Sequence, residues 1–205
     1  MALTLYDNVD SSNALKVRFL LAELGLDAEL VDVPLDAVRP AWYLELHPFG
    51  TIPCLVDGEL AITESNAILR YLSRREGRDD LYPADPALAA RIDLLLDALS
   101  LQLRPLLWAV EEPIQHGGRR ADPAAVRELE AGLVAWERLL AANGELLERF
   151  TIADIGIAGR LAKVHALPIA PDNIPLTSRV LERALERPAF ARALRGDSFR
   201  STSRG

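Results

Sequence analysis

Residues 3–75 alternate between two hydrophobic periods, and only a layered fold that sets strands against helices accommodates both. Leu3 to Tyr6 alternates as a strand does, after which Ala14, Val17, Leu21 and Leu24 recur at helical spacing and Gly25 supplies a stop. Ala28 to Val33, rich in Leu and Val, predicts a second strand, and Pro40 to Leu46 a short helix that begins at a proline. Ile52 to Val56 and Leu60 to Ile62 flank Asp57-Gly58, a hairpin signal. Glu64 to Arg75 then returns to helical spacing through Ala67, Ile68 and Tyr71. The predicted order is βαβαββα. A strand reached through a helix lies parallel to the one before it, and a two-residue turn makes the last pair antiparallel, so a mixed four-stranded sheet is expected.

Arg78 to Pro86 breaks both periods with a polar, proline-marked run. This predicts a linker over 78–85, between a first domain at 1–77 and a second at 86–205. Everything beyond the linker reads as helix. Asp85-Pro86 is an N-cap and N1 pair opening a long helix from Ala87 to about Val110, which Pro105 should bend. Gly117-Gly118 marks a turn, and a second Asp-Pro opens a helix from Asp122 to Ala142. Thr151 to about Leu167, Pro175 to Glu186 and Pro188 to Leu194 complete the set. Thr151 and Asp154 have the spacing of a short-armed capping box, with Phe150 and Ile155 at the positions of a hydrophobic staple, so Asp154 reads as a folding residue.

Charge and cysteine content narrow the function. A net charge of -7 opposes a phosphate-tracking surface, so no nucleic-acid partner is expected. No charge-free apolar run is long enough to cross a bilayer and Met1 to Tyr6 reads as a strand rather than a secretory leader, so no membrane partner and a cytoplasmic location are expected. The single cysteine, Cys54, excludes an internal disulfide and a thiolate metal cluster within one chain. Cys54 reads as a small core side chain on a strand. His116 and His165 lack partners at ligand spacing, and no metal is expected.

Certain segments carry a resemblance. Ser11-Ser12-Asn13-Ala14-Leu15-Lys16-Val17-Arg18 resembles the Ser-x-x-x-x-Lys-Val-Arg start of the first helix in cytosolic serine-type glutathione transferases. His47-Pro48-Phe49-Gly50-Thr51-Ile52-Pro53-Cys54-Leu55-Val56-Asp57-Gly58 is similar to that family's Asn-Pro-x-Gly-x-Val-Pro-x-Leu-x-Asp-Gly, and Thr63-Glu64-Ser65-Asn66-Ala67-Ile68 to its Glu-Ser-x-Ala-Ile. The capping signal through Asp154 and Arg187-Pro188 resemble further family landmarks, so the likeness spans nearly the whole chain. It implies a thioredoxin-like α/β domain that holds glutathione, followed by an all-helical domain that holds the acceptor. The implied reaction conjugates the glutathione thiolate to a small hydrophobic electrophile, without a metal, in a homodimer. A non-catalytic binding or scaffold protein on the same fold, or a glutathione-dependent isomerase or dehalogenase, stands as the alternative. Ser11-Ser12-Asn13-Ala14 differs from the Ser-Ser-Cys-Ser of the zeta-class isomerases.

Carried onto this chain, the resemblance assigns roles that the chemistry of each residue supports. Ser11 at the mouth of a helix is an ordinary N-cap by itself; within this pattern it is the donor to the glutathione thiolate, with Ser12 as its alternative. Pro53 matches the family's cis-proline, and Ile52 before it offers main-chain groups to the cysteinyl part of the tripeptide. Glu64 and Ser65 open a helix where a carboxylate meets the γ-glutamyl ammonium and helix-end donors take the carboxylate. Thr51 stands where many relatives have Lys or Gln for the glycyl end, which leaves His47 or Lys16 as substitutes. Leu103, Leu107 and Trp108 are expected to line the acceptor pocket or, at the same helical spacing, to be core.

Overall fold

The computed structural model describes residues 2–35, 38–115, 118–162, 164, 167, 174–195 and 200–202. β1 (Leu3–Asp7), α1 (Ser12–Leu24), β2 (Ala28–Asp32), α2 (Ala41–Leu46), β3 (Cys54–Asp57), β4 (Leu60–Thr63) and α3 (Ser65–Arg75) follow in the expected order. β1 lies parallel to β2 and antiparallel to β3, and β3 and β4 form the hairpin. The turn itself sits one residue later than the Asp57-Gly58 signal. Asp57 still pairs with Leu60, and Gly58 takes a left-handed φ of 63° that costs a glycine little. Asp57 is thereby free to accept from Tyr71 Oη at 2.7 Å and to pair with Arg75 at 3.1 Å, tying the hairpin to α3.

The described sheet has one strand more than expected. β5 (Arg200–Thr202) pairs parallel with β2, giving the order β4-β3-β1-β2-β5. So short a strand leaves no alternation to read. Ahead of it, α10 (Pro188–Arg195) packs on α1, with the rings of Phe19 and Phe190 edge to face at 5.2 Å. Burying each aromatic contributes about 1.5–3 kcal/mol. Arg187 also pairs with Glu23 of α1. These contacts gather the chain into two units, Met1–Asp79 with Leu185–Gly205, and Asp80–Ala184. The tail that the sequence groups with the helical domain therefore makes its contacts with the first unit.

The second unit is helical: α4 (Pro86–Ala98), a π-helical turn at Leu99–Leu103, α5 (Arg104–Gln115), α6 (Pro123–Ala142), α7 (Gly144–Leu147), α8 (Ile152–Leu161) and α9 (Pro175–Leu185). Asp85 and Asp122 cap α4 and α6 as expected, accepting from the amides of Leu88 and Ala124, both at 2.8 Å. The single bent helix expected from Ala87 to Val110 is corrected to two helices joined by the π turn. There the Arg104 N–H reaches back to Leu99 O. The widened turn falls just before Pro105, whose ring in a regular α-helix would press on the carbonyl four residues earlier. α8 stops at Leu161 rather than Leu167, and Gly117, His116 and His165 lie outside the described residues. Among the described residues no helix is long and apolar enough to cross a membrane.

The capping box forms. The Thr151 N–H donates to Asp154 Oδ2 at 2.8 Å, and Thr151 Oγ1 accepts from the Ala153 amide at 3.2 Å. Asp154 is buried and its other oxygen pairs with Arg183 of α9. Its carboxylate is committed to holding α8 and α9, which is the folding role its sequence context indicates.

Candidate functional site

Strand register brings three segments to one end of the sheet. Tyr6 of β1 lies opposite Cys54 of β3, and Cys54 lies opposite Thr63 of β4. From this row the chain leaves β1 toward Ser11, enters β3 from Ile52-Pro53, and leaves β4 into Glu64-Ser65. Adjacent strands are about 4.8 Å apart, so the row spans roughly 10 Å, within reach of one small peptide.

Ser11 is the N-cap of α1, and its Oγ accepts from the Ala14 N–H at 3.2 Å. A hydroxyl that accepts in this way keeps its own proton for another acceptor. Ser12 is the first residue of α1, and the cap hydrogen bond belongs to Ser11. Around both, the first-turn amides of α1 lack intrahelical partners and favour an anion.

The Ile52–Pro53 peptide is cis, as the resemblance implies. The loop leading to it is held from behind. Thr51 O accepts from Tyr43 Oη at 2.6 Å, Thr51 Oγ1 lies 2.8 Å from His47 Nε2, and Gly50 O accepts from Arg39 Nε at 2.7 Å. Gly50 has φ 62°, and a Cβ there would stand 2.9 Å from Arg39 Cγ, so the position requires glycine. His47 and Lys16, the substitutes considered for the glycyl end, are both buried.

Burial pushes the His47 pKa below its ordinary 6.5, with the Glu64 carboxylate pulling the other way. The sign of the consequence is fixed. Between the ordinary value and the lowered one, the unfolded chain takes up a proton that the folded chain refuses, so stability falls as pH falls through that window and levels off beneath it. Urea midpoints measured from about pH 7.5 to about pH 5 should drop more for the wild type than for His47→Gln. Equal slopes for the two proteins would show that His47 contributes nothing to the pH dependence.

Glu64 departs from ordinary backbone geometry, with φ 65° at the N-cap of α3. Non-glycine residues enter the left-handed region rarely and at a cost of about 1–3 kcal/mol, and such outliers concentrate at ligand sites. Its side chain makes no cap hydrogen bond and is exposed, so the carboxylate is not spent on its own helix. Ser65 opens α3 and is buried. Cys54 is fully buried on β3, where burial pushes its thiol up to about 11, consistent with a packing residue rather than a nucleophile. Among the described residues no group of three or more His, Cys, Asp and Glu side chains is arranged to hold a metal ion.

A family model described as the glutathione S-transferase N-terminal domain matches residues 1–74. Over almost its whole length the chain is 34% identical to glutathione S-transferase 3 of Zea mays, covering 94% of this chain and 93% of that one. The chain belongs to the glutathione S-transferase family. The theta class glutathione S-transferase from Xanthomonas axonopodis pv. citri, solved with glutathione bound, superposes with a TM-score of 0.74 at 28% identity over 94% of this chain and 97% of that one. A stringent starvation protein A homolog of Haemophilus influenzae is 27% identical over 94% of this chain and 90% of that one.

In this glutathione S-transferase family member the expected acceptor-pocket residues divide. Leu103 and Leu107 are 2% and 0% exposed and belong to the core of the helical unit, the second of the two expectations for them; Trp108, 51% exposed, presents surface. Sequence spacing puts all three on one helix but cannot tell an inward face from an outward one when both are apolar. Sequence reasoning also missed the buried pair Asp7–Arg18, at 2.6 Å, beside the Ser11 loop. No local pattern names Asp7, on another element, as the partner of Arg18. Arg18 interrupts a helix whose residues from Ala14 to Leu21 are all buried.

Proposed function

We propose that this chain binds glutathione along the row that joins Ser11, the Thr51-Ile52-Pro53 segment and Glu64-Ser65, and transfers its thiolate to a small hydrophobic electrophile. The observation that carries this reading is Ser11, whose oxygen accepts from the Ala14 N–H and whose own proton remains for another acceptor at the first turn of α1. A hydrogen bond and a helix dipole both favour the ionised sulfur and so lower the thiol pKa. With chlorodinitrobenzene the thiol proton passes to solvent, the sulfur attacks the chlorinated carbon, the new S–C bond forms, and chloride leaves with the C–Cl electron pair. Holding both reactants supplies further acceleration. Ile52 offers main-chain groups to the cysteinyl part, Thr51 stands on the glycyl side, and Ser65 with the α3 amides receives the γ-glutamyl carboxylate. The working form is a homodimer in the cytoplasm, to be checked by light scattering coupled to gel filtration.

Glu64 supplies the charge for the γ-glutamyl ammonium. Glu64→Gln, which keeps the shape and removes the charge, should weaken glutathione binding by about 2 kcal/mol, or roughly thirtyfold in Kd, read by titration calorimetry. An unchanged Kd would remove Glu64 from the site.

The reading as a whole is tested by retention on immobilised glutathione together with conjugation of chlorodinitrobenzene. Retention with turnover is expected. A binding or scaffold protein on the same fold is the second reading; it draws on the likeness to a relative whose name is not that of a transferase and on a Thr51 hydroxyl already engaged by His47. Retention without turnover on chlorodinitrobenzene or on a panel of haloalkanes and maleyl compounds would favour it, and turnover confined to that panel would mark the isomerase or dehalogenase chemistry instead.

A further inference from the structure

Within α1, Arg18 is buried against Asp7, and its Nη1 donates to both carboxylate oxygens at 2.6 Å. A charge pair removed from water is sustained only where its other donors are also met. Here they go to main-chain carbonyls: Nη1 to Asn8 O and Nη2 to Val9 O, each at 3.2 Å, and Nε to Ala193 O of α10 at 3.1 Å. Asn8 and Val9 open the loop between β1 and α1. The Asn8 carbonyl also accepts from the Ser11 N–H at 3.0 Å. One oxygen therefore joins the guanidinium to the backbone of Ser11.

We infer that Arg18 is a positioning residue for Ser11: its fork pins the Asn8-Val9 turn between β1 and α10 and so fixes the direction of the Ser11 hydroxyl. This rests on Ser11 as the thiolate donor and extends that reading to the group that sets its geometry. The Asn8 side chain holds the same turn from the other side, donating to Asp32 Oδ1 at 3.2 Å and Val33 O at 3.3 Å and accepting from the Asp10 N–H at 3.1 Å. The contacts to Asp32 and Val33 fasten the turn to the end of β2; Arg18 fastens it to the helix that Ser11 caps. A lysine keeps the charge against Asp7 but has no planar fork to span separate carbonyls.

The test uses the full chain as wild type, Arg18→Lys, Ser11→Ala and the double variant, with glutathione and chlorodinitrobenzene as probes. Thermal midpoint, glutathione Kd, kcat and the ultraviolet titration of bound glutathione are read for each. Arg18→Lys should lower kcat about tenfold to a hundredfold, the size of effect a small misplacement of a reacting group produces. Its glutathione Kd should stay within about threefold, while the bound thiol titrates at higher pH than in wild type. In the Ser11→Ala background the same substitution should cost nothing more, because the hydroxyl it aims is gone. Equal losses in both backgrounds, or wild-type kcat and thiol titration in Arg18→Lys, overturn the inference and leave Ser11 in its role. A Ser11→Ala variant as active as wild type, or a wild type that does not bind glutathione, overturns the functional reading and the inference with it. If Arg18→Lys fails to fold, Asp7→Asn, which releases the guanidinium from its pin, takes its place in the cycle with the same expected outcomes.

Discussion

Replacing Ser11 with alanine is expected to lower kcat for glutathione conjugation by about a hundredfold to a thousandfold, the cost of removing one donor aimed at a reacting anion. Glutathione affinity should stay within about threefold, because Ile52, Glu64 and Ser65 supply contacts that do not depend on the sulfur's charge. The split between kcat and Kd is the diagnostic part. Alanine also removes the Ala14 cap bond, worth about 1 kcal/mol, so the comparison belongs well below the melting temperature of both proteins. The bound thiol should titrate at higher pH in the variant than in wild type, though still below free glutathione because the helix dipole remains. If turnover is unchanged while Ser12→Ala abolishes it, the donor is Ser12.

A large effect on stability is expected at Asp154. Its Oδ2 accepts from the Thr151 N–H and from Thr151 Oγ1, at 2.8 and 3.1 Å, and its Oδ1 pairs with Arg183 of α9. Asp154→Ala removes the cap of α8 and leaves the Arg183 guanidinium facing a vacated site. A broken buried pair costs about 3–5 kcal/mol; with the Arg183 side chain 26% exposed the lower part of that range applies, and the lost cap accounts for about 1 kcal/mol of the same total. With a urea m-value of about 2 kcal/mol/M, the midpoint should fall by roughly 2 M. Asp154→Asn, which keeps one acceptor oxygen, should lose less. A shift of under about 0.5 M for the alanine variant would mean that solvent replaces these partners at little cost.

Legibility followed the range of the interaction. Caps and turns are set by residues within a turn of one another, so Asp85, Asp122, Thr151 with Asp154, and Gly25 in its left-handed conformation all carry their signals locally. The alternation of periods gives the strands and helices of the first unit for the same reason. The cis peptide before Pro53 was readable only through the family resemblance, since a proline's own base rate favours trans. Features made by distant partners left no pattern. Glu137 of α6 accepts from the Leu176 and Thr177 amides, both at 2.8 Å, and so caps α9 from a different helix. The π turn at Leu99–Leu103 changes the hydrogen-bond register without disturbing the apolar spacing. Arg18 enters the sequence reading only as part of the family motif, and its partner Asp7 is supplied when β1 folds beside α1.

The pairing of the tail with the first unit has a consequence for biosynthesis. β1, α1 and the hairpin are made before residues 80–184, yet Phe190 and Ala193, which complete the surroundings of Phe19 and Arg18, are made only after them. At about 5–20 residues per second that interval lasts roughly 5–20 s, during which a phenylalanine face and a buried-type arginine wait for their last neighbours. A nascent chain stalled near residue 80 would present that face to chaperones, and the first unit reaches its final packing only once residues 185–195 have been made.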